Sequence, residues 1–294
     1  MKTFIMATLA MVAFAANSII ARLALSEHGI DPGSFTLFRL LAGALVLAII
    51  VSLSTRGKLH EVRVSGSWSS AVLLMIYAAT FSYAYISLGA ATGALVLFAI
   101  VQSVMFGAAL RSGERVGIAS IIGLLLAIAG LVALLGPAAS RPNPTGVLLM
   151  SIAGVSWAGY TLRGRGVDRA VLVSAGNFLR SVPLALTLWL LMLLLHRGTI
   201  HIDSHGLALA IFSGAVTSGV GYAIWYTVLP SLTRTQSGIV QMAPAPLATL
   251  GGLAVLGEPI TGKILIASLF ILSGVLIGVL KPKIKAHAHP SPFS

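Results

Sequence analysis

Apolar residues come in blocks of about twenty along the chain, separated by short polar segments. A block of that length is what a helix needs to cross the hydrocarbon of a bilayer. The pattern predicts ten such helices, over roughly 3–25, 33–53, 67–87, 90–110, 115–136, 145–162, 171–195, 205–228, 234–256 and 260–280. The breaks between them carry turn and breaker residues, as in His28-Gly29-Ile30-Asp31-Pro32, Gly136 through Pro144 and Arg197 through Ser204. Apolarity runs past Ala13-Phe14-Ala15, which otherwise imitates a signal-peptide site, so the first block reads as a retained span. Beyond Leu280 the tail KPKIKAHAHPSPFS is polar and is expected to be disordered. The fold class that follows is an all-α integral membrane protein.

The blocks are not independent. Residues 234–280 laid over residues 90–136, an offset of 144, bring Val240 onto Val96 and Gly251 onto Gly107. They also bring Gly257-Glu258 onto Gly113-Glu114 and Gly274 onto Gly130. Glycine and glutamate recurring at fixed spacing mark an internal duplication. The expected organisation is a five-helix unit over 1–137, a second over 138–281 and a cytoplasmic tail over 282–294. With five spans each, the second unit enters the membrane from the opposite face, giving two inverted repeats.

Composition and charge sharpen this picture. The chain of 294 residues is 57% hydrophobic and only 9% charged, far below the roughly 25% of a soluble domain. Its net charge of +12 comes from basic residues placed singly or in small groups between apolar blocks, not on one continuous face. That excludes a nucleic-acid surface and points to topology instead. With the N-terminus in the cytoplasm, thirteen Lys and Arg fall on the inner side and four on the outer, with Arg39 and Arg180 inside spans. Both termini are then cytoplasmic. There is no cysteine, and no phosphate loop, zinc motif or nucleophile elbow. No cofactor, metal or nucleic-acid partner is expected. His201 and His205, in an outer loop, read as surface histidines.

The residues that could carry chemistry are few. Glu114 and Glu258 each follow a glycine and open an apolar helix, where a carboxylate is stabilised by the helix dipole; a gating or proton role is the alternative. Arg39 and Arg180 sit in similar places in the second helix of each unit. A mid-membrane charge costs about 2.5–3.5 kcal/mol to insert, and no span holds an Asp or Glu to offset it. They either cap carbonyls of interrupted helices or attract a substrate carboxylate. Pro244 and Pro246 predict a break in the ninth span next to Gln241, and Pro183 an interruption in the seventh. Aromatics fall at helical spacing: Tyr77 with Phe81, Trp157 with Tyr160, and Tyr222 with Trp225 and Tyr226. They suit either an interfacial belt or a lined cavity, and Phe14 and Asn17 could face the same space.

The helix count, the inverted duplication, the arginines and the Gly-Glu corners together resemble the EamA-type branch of the drug/metabolite transporter superfamily, over roughly residues 3–280. Leu256-Gly257-Glu258-Pro259 with Ala243-Pro244 is similar to the family's signature, and Ser112-Gly113-Glu114 is its less complete counterpart. Trp157-Ala158-Gly159-Tyr160 resembles a Trp-small pattern for which the first unit has Phe14-Ala15-Ala16-Asn17. The resemblance implies an exporter in a bacterial inner membrane for amino acids and related metabolites. Aromatic amino-acid exporters of that kind use an aromatic-lined cavity. The lining expected here is Asn17, Tyr77, Phe81, Trp157, Tyr160, Tyr222, Trp225 and Gln241, supported by Arg39 and Arg180. The small four-helix relatives that expel cations carry a membrane-embedded Glu in their first helix. Asn17 and Ser18 stand there instead, which argues against proton-for-cation exchange by that route. The expected partners are the lipid bilayer and a small-molecule substrate, and the duplication lets a monomer suffice. A multidrug or organic-cation exporter, and a membrane enzyme or scaffold, are the competing readings.

Overall fold

A computed structural model describes residues 2–26, 29–55, 59–114, 142–195 and 200–279, with 116–118, 121–123, 125, 126, 128 and 129. The elements are α1 (Lys2–Ser26), α2 (Pro32–Ser54), α3 (His60–Val64), α4 (Trp68–Ala84) and α5 (Ala90–Arg111). There follow α6 (Pro144–Arg163), α7 (Ala170–Leu195), α8 (Ser204–Phe212), a π-helical segment (Ser213–Val220) and α9 (Gly221–Val228). A 3-10 turn (Leu229–Ser231), α10 (Arg234–Val240), α11 (Pro244–Leu256) and α12 (Gly262–Val279) complete the order. Among the described residues, seven helical stretches are long and apolar enough to cross a membrane: 3–25, 32–54, 90–111, 144–163, 170–195, 204–231 and 234–256. α4 is apolar but shorter, at 17 residues. The span expected over 115–136 and the tail over 282–294 lie mostly or wholly outside the described residues.

Local chemistry sets the helix starts. Asp31, Ser67, Asn143 and Asp203 each accept a backbone N–H three residues on, and Pro32 and Pro144 follow their caps at the first helical position. Thr233 and Gln236 form a capping box ahead of α10. The loops before α2 and α8 meet in one antiparallel bridge, Ile30 with Ile202, in which Asp31 N–H donates to the His201 carbonyl at 2.8 Å.

Side chains sort by face. Leu45, Ile49, Leu53, Leu250 and Val255 are exposed on the outer surface, whereas alanine and serine fill the interior. Lipid is as apolar as leucine, so helices are drawn together by close packing of small residues instead. The packing crosses the chain midpoint reciprocally. α1 lies on α9 and α11, α6 lies on α4 and α5, α2 lies on α7, and α5 lies on α10 and α11.

The two Gly-Glu corners hold α5 and the α10–α11 pair antiparallel. Gly113 and Gly257 have φ of 71° and 63°, a left-handed turn that stops each helix. The turn throws the next residue sideways. Glu114 accepts N–H donors from Arg234 and Thr235, both at 3.2 Å, at the start of α10. At the other end Glu258 accepts the Ala90 N–H at 3.0 Å, at the start of α5. The expectation that each glutamate serves the helix it opens is therefore corrected. α12 begins only at Gly262, and both carboxylates cap an antiparallel neighbour. Glu258 also faces Arg22 at 3.4 Å, and Arg22 donates to the Tyr85 and Ile86 carbonyls past the end of α4 at 2.9 and 3.1 Å. The expected interruption at Pro183 is absent: α7 runs through it unbroken. The break near Pro244 is real. A turn at Gln241–Ala243 ends α10, and Pro244 starts α11 at a position where its missing N–H costs nothing.

Partial burial pushes the Glu114 carboxyl up, but hydrogen bonds from Thr235, Thr233 and the Arg234 N–H outweigh it and hold the carboxyl below its ordinary value of 4.5. A depressed folded-state value stabilises above the unfolded value and is lost as pH falls through the folded one. The melting-point advantage of wild type over Glu114→Gln in detergent micelles should be constant at neutral pH and shrink only under acid conditions, below the ordinary carboxylate range. In the same assay Gly113→Ala and Gly257→Ala should each cost about 1–2 kcal/mol for the left-handed backbone. Gly107→Ala, inside α5 with open space around it, should be neutral or stabilising.

Candidate functional site

At the centre of the bundle, rings from six helices converge. Trp157 of α6 lies 5.4 Å from Phe14 of α1, 5.2 Å from Tyr77 of α4 and 4.9 Å from Tyr222 of α9, centroid to centroid. Phe81 meets Tyr77 at 5.4 Å, and Phe178 of α7 meets Tyr222 at 5.1 Å edge to face. Contacts in this range are the preferred geometries of aromatic pairs. Phe14, Tyr77, Phe81, Trp157 and Tyr222, with Leu97 and Phe98 of α5, surround a cavity of about 10 Å3. That is roughly the least space that holds one water. The cage is closed upon itself.

Arg39 of α2 stands against this cage, 1% exposed. Its guanidinium carbon lies 5.2 Å from the Tyr77 ring centroid and 4.9 Å from that of Phe81. Nε donates to Ser218 Oγ at 3.1 Å and Nη2 to the Tyr77 hydroxyl at 3.0 Å. Two desolvated cation–π contacts, each worth about 2 kcal/mol, are enough to offset an insertion cost of about 3 kcal/mol. They do not use every donor. Arg39 Nη1 and the Tyr222 hydroxyl are buried without a hydrogen-bond partner.

The π-helical segment is the device that reaches Arg39 and Asn17 together. Gly214 lies so close to α2 that a Cβ there would collide with the Arg39 carbonyl. That approach lets Ser218 meet the guanidinium. On the facing side, Ser213 and Thr217 donate to Asn17 Oδ1 at 2.7 and 3.0 Å. A π-turn inside a long helix commonly marks a functional place. The pattern SGAVTSGV gives no warning of it, being as compatible with an α-helix. Ser218, Leu97 and Phe98 had no sequence signal that set them apart.

The expected lining divides in three. Tyr77, Phe81, Trp157 and Tyr222 form the cage. Tyr160 backs it, 5.9 Å from Trp157, and Trp225 packs 6.1 Å from Phe14. Asn17 and Gln241 hold the wall rather than line it: Asn17 clamps the π segment, and Gln241 Oε1 accepts the Trp157 indole N–H at 2.6 Å while Nε2 donates to the Ser237 carbonyl. Arg180 is elsewhere. Its guanidinium donates to the carbonyls of Arg63, Ser65 and Gly176, beside α3 and the start of α4, so it caps backbone and does not share the place of Arg39. Glu114, Glu258, Pro244 and Pro246 are structural neighbours of the bundle ends and the α10–α11 break. No group of three metal-binding side chains occurs among the described residues.

The two ends of the bundle differ. At the Glu114 end a cleft of about 460 Å3 opens between the end of α2 (Val51, Ser54, Thr55), the segment before α7 (Asp168, Arg169) and the end of α9. Tyr226 lines its inner side. Tyr226 and Tyr222 stack 6.4 Å apart at an interplanar angle of 17°, so one stacked pair connects the cleft to the cage. At the Glu258 end, Arg22, Glu258, Ala90 and the Tyr85 and Ile86 carbonyls tie the helix ends together.

Comparison with known proteins gives four findings. Residues 144–280 match the model of the EamA-like transporter family. A Pseudomonas aeruginosa protein described as uncharacterized is 45% identical over 283 residues, 96% of this chain and 96% of its own length. An Archaeoglobus fulgidus protein described as an uncharacterized transporter is 27% identical over 201 residues, 67% of this chain and 70% of that one. A crystal structure at 22% identity superposes with a TM-score of 0.67 over 93% of this chain and 98% of its own, a likeness of fold.

Gln241→Leu keeps the side-chain bulk near Trp157 and removes its acceptor. Interhelical hydrogen bonds in membranes are worth about 0.6–1.7 kcal/mol. The variant should lose about that much stability in a micellar unfolding titration, and Gln241→Glu should lose less because an acceptor remains.

Proposed function

The chain belongs to the EamA-like transporter family, and on that premise we propose that it exports amino acids, aromatic ones among them, and related small metabolites from a bacterial cytoplasm. Family members are membrane transporters of small molecules rather than enzymes. The observation that carries the finer reading is the cage. Rings from α1, α4, α6 and α9 close on a cavity of about 10 Å3 deep in the bundle, with an open cleft on one side and tied helix ends on the other. A carrier between substrates would have this form. Aromatic faces would stack on an apolar side chain, as small-molecule sites do.

Movement follows from the reciprocal packing. The two five-helix units, inverted with respect to each other, would rock about the cage so that cleft and tie exchange ends. The charge distribution supports assigning the Glu114 end to the cytoplasm, since Arg111, Arg163, Arg165, Arg169 and Arg234 gather there. The tied Glu258 end is then outward. One chain contains both units, so a monomer suffices. An organic-cation exporter fits less well, because the one ion beside the cage is a cation. A membrane scaffold would not exchange substrate at all.

The test is counterflow of labelled phenylalanine in proteoliposomes. Trp157→Ala and Tyr222→Ala should each lower the initial rate by about tenfold or more, the loss of roughly 1.4 kcal/mol of binding. Leu53→Ala, 80% exposed on the lipid face, should leave it unchanged. Wild-type rates in both cage variants would refute the cage as the site. No exchange of any metabolite by wild type would refute transport.

A further inference from the structure

We propose that the cage reads the negative charge of its substrate through Arg39 and has no counterpart for an ammonium group, so that aryl and alkyl monocarboxylates without an amino group are preferred to the matching amino acids. This rests on the transport reading above and narrows its substrate class.

Three observations converge. First, Arg39 is 1% exposed and keeps one N–H donor without a partner, although Nε and Nη2 are both bonded. A buried charge normally has an opposite charge close by. None of the seven acidic residues of the chain falls within a membrane-spanning block. Those described lie at helix ends: Asp31, Glu61, Glu114, Asp168, Asp203 and Glu258. Among the described residues Arg39 has rings but no carboxylate beside it, and a bound anion would supply one. Second, the Tyr222 hydroxyl is close to the Arg39 guanidinium and to the Tyr77 hydroxyl, with no hydrogen bond of ordinary length to either. A guanidinium N–H and a phenol O–H form a donor pair suited to the two oxygens of a carboxylate. Third, the two amide acceptors that hold the cage wall are already taken. Asn17 Oδ1 accepts twice, from Ser213 and Thr217, and Gln241 Oε1 accepts from Trp157. The faces of Tyr77 and Phe81 are occupied by Arg39 itself.

An α-ammonium lies within a few ångström of its own carboxylate. With that carboxylate on Arg39, the ammonium would be placed near the guanidinium, buried, and without an acceptor. An amino acid would therefore enter less readily than the acid that lacks the amine. An amine without a carboxylate would be excluded. A neutral alcohol of the same shape would fill the cage and leave Arg39 without its countercharge. Arg39 lies behind the Tyr77 and Phe81 rings, so the carboxylate reaches Nη1 only as the cage widens towards the cleft.

The experiment compares four ligands of one shape: 3-phenylpropionate, phenylalanine, 2-phenylethylamine and 3-phenylpropanol. Each is added outside proteoliposomes at pH 8 and scored for acceleration of release of preloaded labelled phenylalanine, with protein-free liposomes subtracted for passive leak. Wild type should respond to 3-phenylpropionate at a concentration about tenfold or more below that needed for phenylalanine, as a buried ammonium without an acceptor predicts. The amine and the alcohol should be inactive over the same range. In Arg39→Gln the advantage of the acid should disappear. Tyr222→Phe, which keeps the ring, should shrink it, so the reading does not depend on Arg39→Gln folding. Equal or better response to phenylalanine, or an alcohol as effective as the acid, overturns the charge preference and leaves the transporter intact. Failure of all four to accelerate release, with no self-exchange of either phenylalanine or 3-phenylpropionate, overturns the transport reading along with it.

Discussion

A carboxylate at the N-terminus of a neighbouring helix is the interaction on which the rest of the bundle depends. Glu114 and Glu258 each leave the C-terminus of one helix and satisfy backbone N–H groups at the start of its antiparallel partner. Helix starts are short of acceptors and carry partial positive charge. In lipid no water supplies what is missing. The two hooks sit at opposite ends of α5 and fix its register against α10 and α11. That register sets where Phe98 of α5 and Gln241, at the end of α10, come to lie. Phe98 lines the cavity and Gln241 orients Trp157. A charge at the membrane edge thereby decides the shape of the space at its middle.

Much of this was legible in the sequence because hydropathy and turn chemistry are local. The helix blocks follow from runs of apolar residues, and the corners from Gly113-Glu114 and Gly257-Glu258. The aromatic convergence could be seen as spacing in single helices. What could not be seen was which helix each glutamate serves, because that depends on an antiparallel neighbour more than a hundred residues away. Arg39 and Arg180 looked equivalent for the same reason. Both have long side chains within apolar helices, α2 and α7. One meets rings and a serine, and the other finds three carbonyls near α3. Side-chain reach of several ångström separates the two outcomes, and sequence position does not encode it. Pro183 misled in another way. A proline removes one donor and crowds one carbonyl, but in a membrane bundle neighbouring groups can absorb that without ending the helix.

The polar interior is sparse and divided by task. Ser213, Thr217, Ser218, Asn17 and Gln241 hold helices and rings in place, and each is satisfied by a protein partner. Arg39 and Tyr222 beside the cage, like Gln102 and Trp225 in the same bundle, each keep a buried polar atom with no hydrogen-bond partner among the described residues. In a low-dielectric interior an unanswered donor is costly, and such a residue persists where it has a use. Walls of rings and mostly satisfied polar groups, with unsatisfied donors against one side, would suit a site selective by charge and permissive by shape.

The π segment carries one more consequence. Its i→i+5 ladder absorbs a residue that a regular helix would have to place elsewhere. Everything after it is thereby offset in azimuth from the α8 turns that precede it. A helix advances about 100° per residue. Letting Ser213–Val220 relax to α geometry with every residue kept would swing Tyr222, Trp225 and Tyr226 a quarter-turn or more away from Trp157 without altering any of them. The bulge is thus a phase shifter, and the family of rings downstream of it inherits its aim from a stretch of glycine, serine and valine.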